Sequence, residues 1–226
     1  MPAVRARKIY NRRARLPDRL RLTMSDSLYL SLWFPRFEPA EMLTRTRCVL
    51  EQFPFSSQRP GITHVEAHGI AWNEAVVFEE RFNPGVAPSG ALEVLREFAQ
   101  PDHGWVIEAW WDLWTPHGEA DPDAPEAHWN DEPMAVTFLV NGIEFHDGAH
   151  DEEGHIRVDF GLDTAFLHEE EQYTEDLEAR VRVNVAKLIA VTLAVEKNCK
   201  PASRLLWSES EETIVQKLIA RLQKVQ

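Results

Sequence analysis

The segment His64-Val65-Glu66-Ala67-His68 places two imidazoles and a carboxylate at alternate positions of an extended run. Side chains alternate faces along a strand, so His64, Glu66 and His68 share one face while Val65 and Ala67 take the other. Imidazole and carboxylate are donors that zinc and non-haem iron accept, which makes these three residues a candidate metal site. A plainer reading stands beside it. If Asn73-Glu74 is a two-residue turn, His68 lies opposite Glu79 and Glu66 opposite Arg81, and the residues form ordinary cross-strand charge pairs.

A second group runs from His146 to His155, with three His and four acids in ten residues. It is flanked by glycines at the end of an expected hairpin and lacks the alternating acids of a calcium loop, so it reads as a solvated turn. A third group is aromatic: Trp105, Trp110, Trp111 and Trp114 fall within ten residues. Alternation puts Trp105, Ile107, Ala109, Trp111 and Leu113 on one face, and Glu108, Trp110, Asp112 and Trp114 on the other. Combined with the preceding strands, one face collects Tyr29, Trp33, His64, Glu66, His68, Glu79, Trp110, Asp112 and Trp114. Carboxylates attract positive charge and tryptophan faces stack on it, so this surface suits a cation-bearing, sugar-like or basic-protein ligand.

The elements that would carry these groups follow from periodicity. Leu28 to Phe34 alternates with period two and ends at Pro35. Pro39 suits the first turn of a helix that reaches Pro54. Ile62–Trp72 and Ala75–Phe82 read as a hairpin, Pro88–Ala99 as a second helix, and Trp105–Trp114 as a strand. The order strand, helix, strand, strand, helix, strand predicts a ferredoxin-like βαββαβ unit over about 28–115 within an α+β fold. In that arrangement the first and fourth strands lie side by side. A further hairpin over about 134–162 and two amphipathic C-terminal helices extend it, the first capped by Thr174 and the second opened by Ser208 and Glu211. Residues 116–133 hold six acids and no Lys or Arg and read as an acidic loop.

Charge is uneven. Residues 1–23 carry eight basic side chains against Asp18 alone, a net of +7, and the other 203 residues, with 16 basic and 36 acidic groups, carry −20. The basic segment reads as a disordered arm or as residues ahead of the true start at Met24, with 24–226 forming a single enlarged domain. The acidic body disfavours phosphate backbones, so nucleic acid is not an expected partner of the folded part. No run approaches the roughly 18 apolar residues of a spanning helix, and no membrane partner is expected. Cys48 and Cys199 stand 151 positions apart without paired-motif spacing and read as reduced thiols, which points to the cytoplasm.

No nucleophile elbow, phosphate loop, dinucleotide fingerprint or HExxH motif occurs, and no cofactor is expected. The sequence therefore leads to a non-enzymatic acidic binding protein, immunity- or inhibitor-like, that presents carboxylates and tryptophans to a basic partner. Its rival is a metal-dependent enzyme or small-ligand sensor built on His64, Glu66 and His68.

Overall fold

The computed structural model describes residues 26–117, 128–167 and 175–208. The basic arm, Met24, residues 118–127, the Thr174 cap and the second C-terminal helix expected after Ser208 lie outside them. Seven strands are present among the described residues: β1 (Ser27–Trp33), β2 (Ile62–Gly69), β3 (Val76–Val86), β4 (His103–His117), β5 (His128–Asn141), β6 (Ile156–Leu162) and β7 (Ser203–Ser208). The helices are α1 (Pro39–Glu51), α2 (Pro88–Val94), α3 (His150–Glu153), α4 (Thr164–Leu167) and α5 (Glu175–Cys199). The fold is α+β, with one antiparallel sheet in the order β3-β2-β4-β5-β6-β1-β7.

That order departs from the ferredoxin-like expectation, which sets β1 beside β4. Here β4 and β5, 15 and 14 residues long, pair over their whole shared length from Gly104↔Asn141 to His117↔His128. With β2 on its other edge, β4 has no edge left, and β1 pairs instead with β6 and β7. The same pairing corrects the acidic loop: its residues from His128 to Pro133 are strand, opposite Asp112 to His117. The hairpin expected over 134–162 is present as β5 and β6, with Thr137 opposite Asp159.

Helices close one face of the sheet. Pro39 sits in the first turn of α1, where its missing N–H leaves no intrahelical bond unmade, and Met42, Thr46, Val49 and Leu50 are buried at three- and four-residue spacing. The stripe of α5 runs Leu177, Val181, Val185, Leu188, Val195. These pack in one core with Leu28, Leu30, Leu32, Val65, Ala67, Trp105, Ile107, Ala109, Trp111 and Leu113. Asn184, fully buried within that stripe, ties α5 to its neighbours: its Nδ2 donates to the carbonyls of Trp114 (2.7 Å) and Ala165 (2.8 Å), and its Oδ1 accepts from the Trp114 N–H (3.0 Å).

Cys48 of α1 and Cys199 at the end of α5 form a disulfide across a Cα separation of 5.7 Å. Reading them as separate reduced thiols was therefore wrong, and with it goes the ground for a cytoplasmic location. No described helix is long and apolar enough to cross a membrane.

Candidate functional site

Alternation decides what the uncovered face displays. Tyr29, Asp159, Thr137, Glu108, His64 and Arg81 are successive register partners across β1, β6, β5, β4, β2 and β3. Each is half-buried or exposed, whereas their chain neighbours Leu28, Leu30, Val158, Phe138, Val136, Ile107, Ala109 and Val65 are sealed beneath the helices. This face is broad. Four strand spacings of about 4.8 Å separate Tyr29 from His64, so Tyr29 and Trp33 stand apart from the imidazole cluster.

At the β1 end, Tyr29 packs on Trp207 of β7 with ring centroids 4.6 Å apart, and the Arg157 guanidinium lies 5.4 Å from the Tyr29 ring. Trp33 donates its indole N–H to the Asp151 carbonyl at 3.2 Å. Asp151 belongs to the segment 143–154, which is folded rather than a solvated turn. Its Phe145 is buried over Gly104, where a side-chain carbon would overlap the Phe145 ring. His155, just ahead of β6, is buried and accepts the Phe34 N–H on Nδ1 at 3.1 Å. Burial, then the neighbouring His150, push its pKa down to about 4.

The middle of β4 makes a second environment. Trp110 donates to Thr63 Oγ1 at 2.9 Å, and Thr63 donates in turn to Glu108 Oε1 at 2.9 Å. Thr63 reaches this face because β2 changes register between Ile62 and His64 against both of its neighbours. The Arg59 guanidinium lies 4.2 Å from the Trp110 ring. These residues, with Phe82, Asn83 and Pro84, line a groove of about 360 Å³. Next to it Asp112 accepts hydrogen bonds from the Ser56 and Ser57 hydroxyls and from the Ser57 N–H. Burial would raise the Asp112 carboxyl, but the serine hydrogen bonds outweigh it and hold the pKa below its ordinary value. Trp114 carries the Arg180 guanidinium 4.9 Å from its ring.

The imidazole cluster occupies the β2–β3 edge. The connection between these strands is Ile70–Ala75 rather than Asn73-Glu74 alone, and Ile70 turns the chain with a φ of 69°. The register moves accordingly: Glu66 faces Glu79, His64 faces Arg81 and His68 faces Val76. The charge pairs expected from a tight turn do not form in that arrangement. His64 Nε2 lies 3.1 Å from Glu79 Oε1 and 3.5 Å from Glu66 Oε1, while His68 Nε2 lies 3.0 Å from Glu66 Oε2. One ligand atom from each of His64, Glu66 and Glu79 falls within 4.8 Å of the others. Arg81 also binds Glu79, at 3.0 Å, and with His64 holds that carboxyl below its usual pKa.

The metal-type trio is thus His64, Glu66 and Glu79, with His68 behind Glu66 rather than in the trio. Arg59 and Thr63 are the site residues that the sequence reading missed, whereas Glu108 stands on the face that alternation gave it. Arg59 lies in a loop, and Thr63 faces the groove only because of the register change, so alternation alone could not place either. No protein-family model, curated protein or solved structure matches this chain.

Proposed function

We propose that this chain is a non-enzymatic acidic binding protein, inhibitor- or immunity-like, whose open sheet face docks a basic protein. The observation that supports this is the sorting of one sheet into two faces. Helices seal one, and the other displays Glu66, Glu79, Glu108, Asp112 and Asp159 among Tyr29, Trp33, Trp110 and Trp114. The residues beyond position 23 carry a net −20, which steers cations toward the body and raises the association rate.

Local chemistry fits the same partner. Trp110, Trp114 and Tyr29 each already carry an intramolecular arginine beside the ring. Every one of these rings therefore accepts a guanidinium, and an incoming arginine can replace the loop residue Arg59 without new geometry. The groove beside Trp110, bounded by Glu108 and Asn83, gives such a side chain acceptors for its N–H groups.

An oligo-arginine peptide titrated into the protein and followed by amide NMR tests this reading. Shifts confined to the β2, β4 and β6 positions of the open face, weakened several-fold in Glu108→Gln and by added salt, are expected. Shifts on the helical face, or an equal response to oligo-glutamate, would remove the basis for a basic partner.

A further inference from the structure

The β2–β3 register sets two carboxylates, Glu66 and Glu79, directly opposite each other. Like charges in that relation destabilise a sheet, and a cation between them reverses the sign of the effect. His64 stands at this point with its Nε2 near one oxygen of each glutamate, at 3.5 Å and 3.1 Å. In tetrahedral coordination with metal–ligand bonds of about 2.0–2.1 Å, neighbouring ligand atoms lie about 3.3–3.4 Å apart. Two edges of the trio already lie near that length, and all three ligand atoms fall within 4.8 Å of one another.

A second and independent observation concerns His68. Its side chain is 9% exposed, its Nε2 faces Glu66 Oε2 at 3.0 Å, and its Nδ1 is buried without a hydrogen-bond partner. A buried imidazole that uses one nitrogen only, and uses it on a carboxylate, is the arrangement that orients a metal-binding carboxylate from behind. With Oε2 engaged by His68, Oε1 is left toward His64. Glu79 and Arg81 lie on the edge strand, so the trio can be reached from solvent.

We propose that His64, Glu66 and Glu79 bind a divalent transition-metal cation of the zinc or manganese class, with His68 as the positioning residue for Glu66. One nitrogen and two carboxylate oxygens suit these ions and leave coordination positions for water or a ligand. Glu108, the register partner of His64, borders the groove under Trp110, so a ligand held there would lie beside the metal. The cation occupies only the β2–β3 edge, and its binding does not depend on the basic-partner reading.

The test is calorimetric titration of the untagged full chain with ZnCl₂ and, separately, MnCl₂. One equivalent of at least one ion is expected to bind. His64→Ala and Glu79→Gln should each abolish that binding or weaken it at least about tenfold, and His68→Gln should weaken it about tenfold. His150→Ala, which alters the histidine-rich segment 143–154, should leave it unchanged. Glu79 is exposed on an edge strand, so Glu79→Gln keeps the fold and decides the matter if His64→Ala does not. No stoichiometric binding of either ion, undiminished binding by Glu79→Gln, or loss in His150→Ala would overturn the assignment. Arg81→Ala sharpens it, because removing the cation that competes for Glu79 should tighten metal binding.

Discussion

Trp110 and Trp111 are adjacent in the chain, yet they do different work. Trp111 is fully buried and packs against Phe53, Phe160 and Phe166, with centroids 5.2–5.9 Å apart. Trp110 is half-buried, hydrogen-bonds Thr63 and carries Arg59 beside its ring. The core face uses its aromatic surface to exclude water. The open face satisfies the same kind of side chain with replaceable polar partners, and such a surface can exchange its own contacts for those of a ligand.

Truncating the two tryptophans gives the sharpest break in this comparison. Trp111→Ala should cost about 3–5 kcal/mol of stability, through lost burial and the cavity left behind. Trp110→Ala should cost about 1 kcal/mol and instead weaken oligo-arginine binding several-fold. Denaturant unfolding and the NMR titration read the two effects separately, and equal destabilisation would erase the distinction between the faces.

The disulfide comes next in size. It closes a long loop, and its removal in Cys48→Ala/Cys199→Ala should cost about 2–5 kcal/mol, measured by the thermal midpoint in the absence of reductant. Both cysteines belong to helices on the core face, so the open face should keep its binding properties below the new midpoint.

The smallest effect is a pH dependence carried by His155. Its folded pKa of about 4 lies below the ordinary 6.5, because burial disfavours the charged ring and the neighbouring His150 adds to the effect. The unfolded chain therefore takes up the proton first. Stability from this group is fully present above pH 6.5 and is lost as pH falls toward about 4. Relaxation around the charged ring on protonation offsets part of the shift, and the loss should be of order 1–2 kcal/mol. Unfolding of wild type and His155→Gln between those pH values should show a steeper loss in the wild type, the carboxylates contributing equally to both.

How much of this was legible beforehand varied with the range of the interaction that set it. The alternation of β4 was, because one register of burial fits Trp105, Ile107, Ala109, Trp111 and Leu113, and α1, α2 and α5 announced themselves by proline placement and apolar stripes. Neighbour relations between strands were not. β1 pairs with β6 and β7 because β5 and β2 occupy both edges of β4, a competition between residues far apart in the chain. β7 went unseen because Ser203–Ser208 is short, lies next to a helix end and exposes Leu205. The composition of the metal-type trio turned on the six-residue connection Ile70–Ala75, whose register exchanged Glu79 for His68. The cysteine pair had no local signal at all.

The position of the disulfide has a mechanical consequence. The covalent ring it closes runs from position 48 to position 199 and contains β2 to β6, leaving β1 and β7 outside. Those two strands pair antiparallel with Leu28 opposite Ser208, so Ser27 and Ser208 stand at the same corner of the sheet among the described residues. A force pulling Ser27 and Ser208 apart would open that pair one ladder bond at a time, like a zip rather than a sheared seam. The load would then cross the β1–β6 ladder and reach the sulfur–sulfur bond, which bypasses β2 to β5 with the imidazole cluster and the groove.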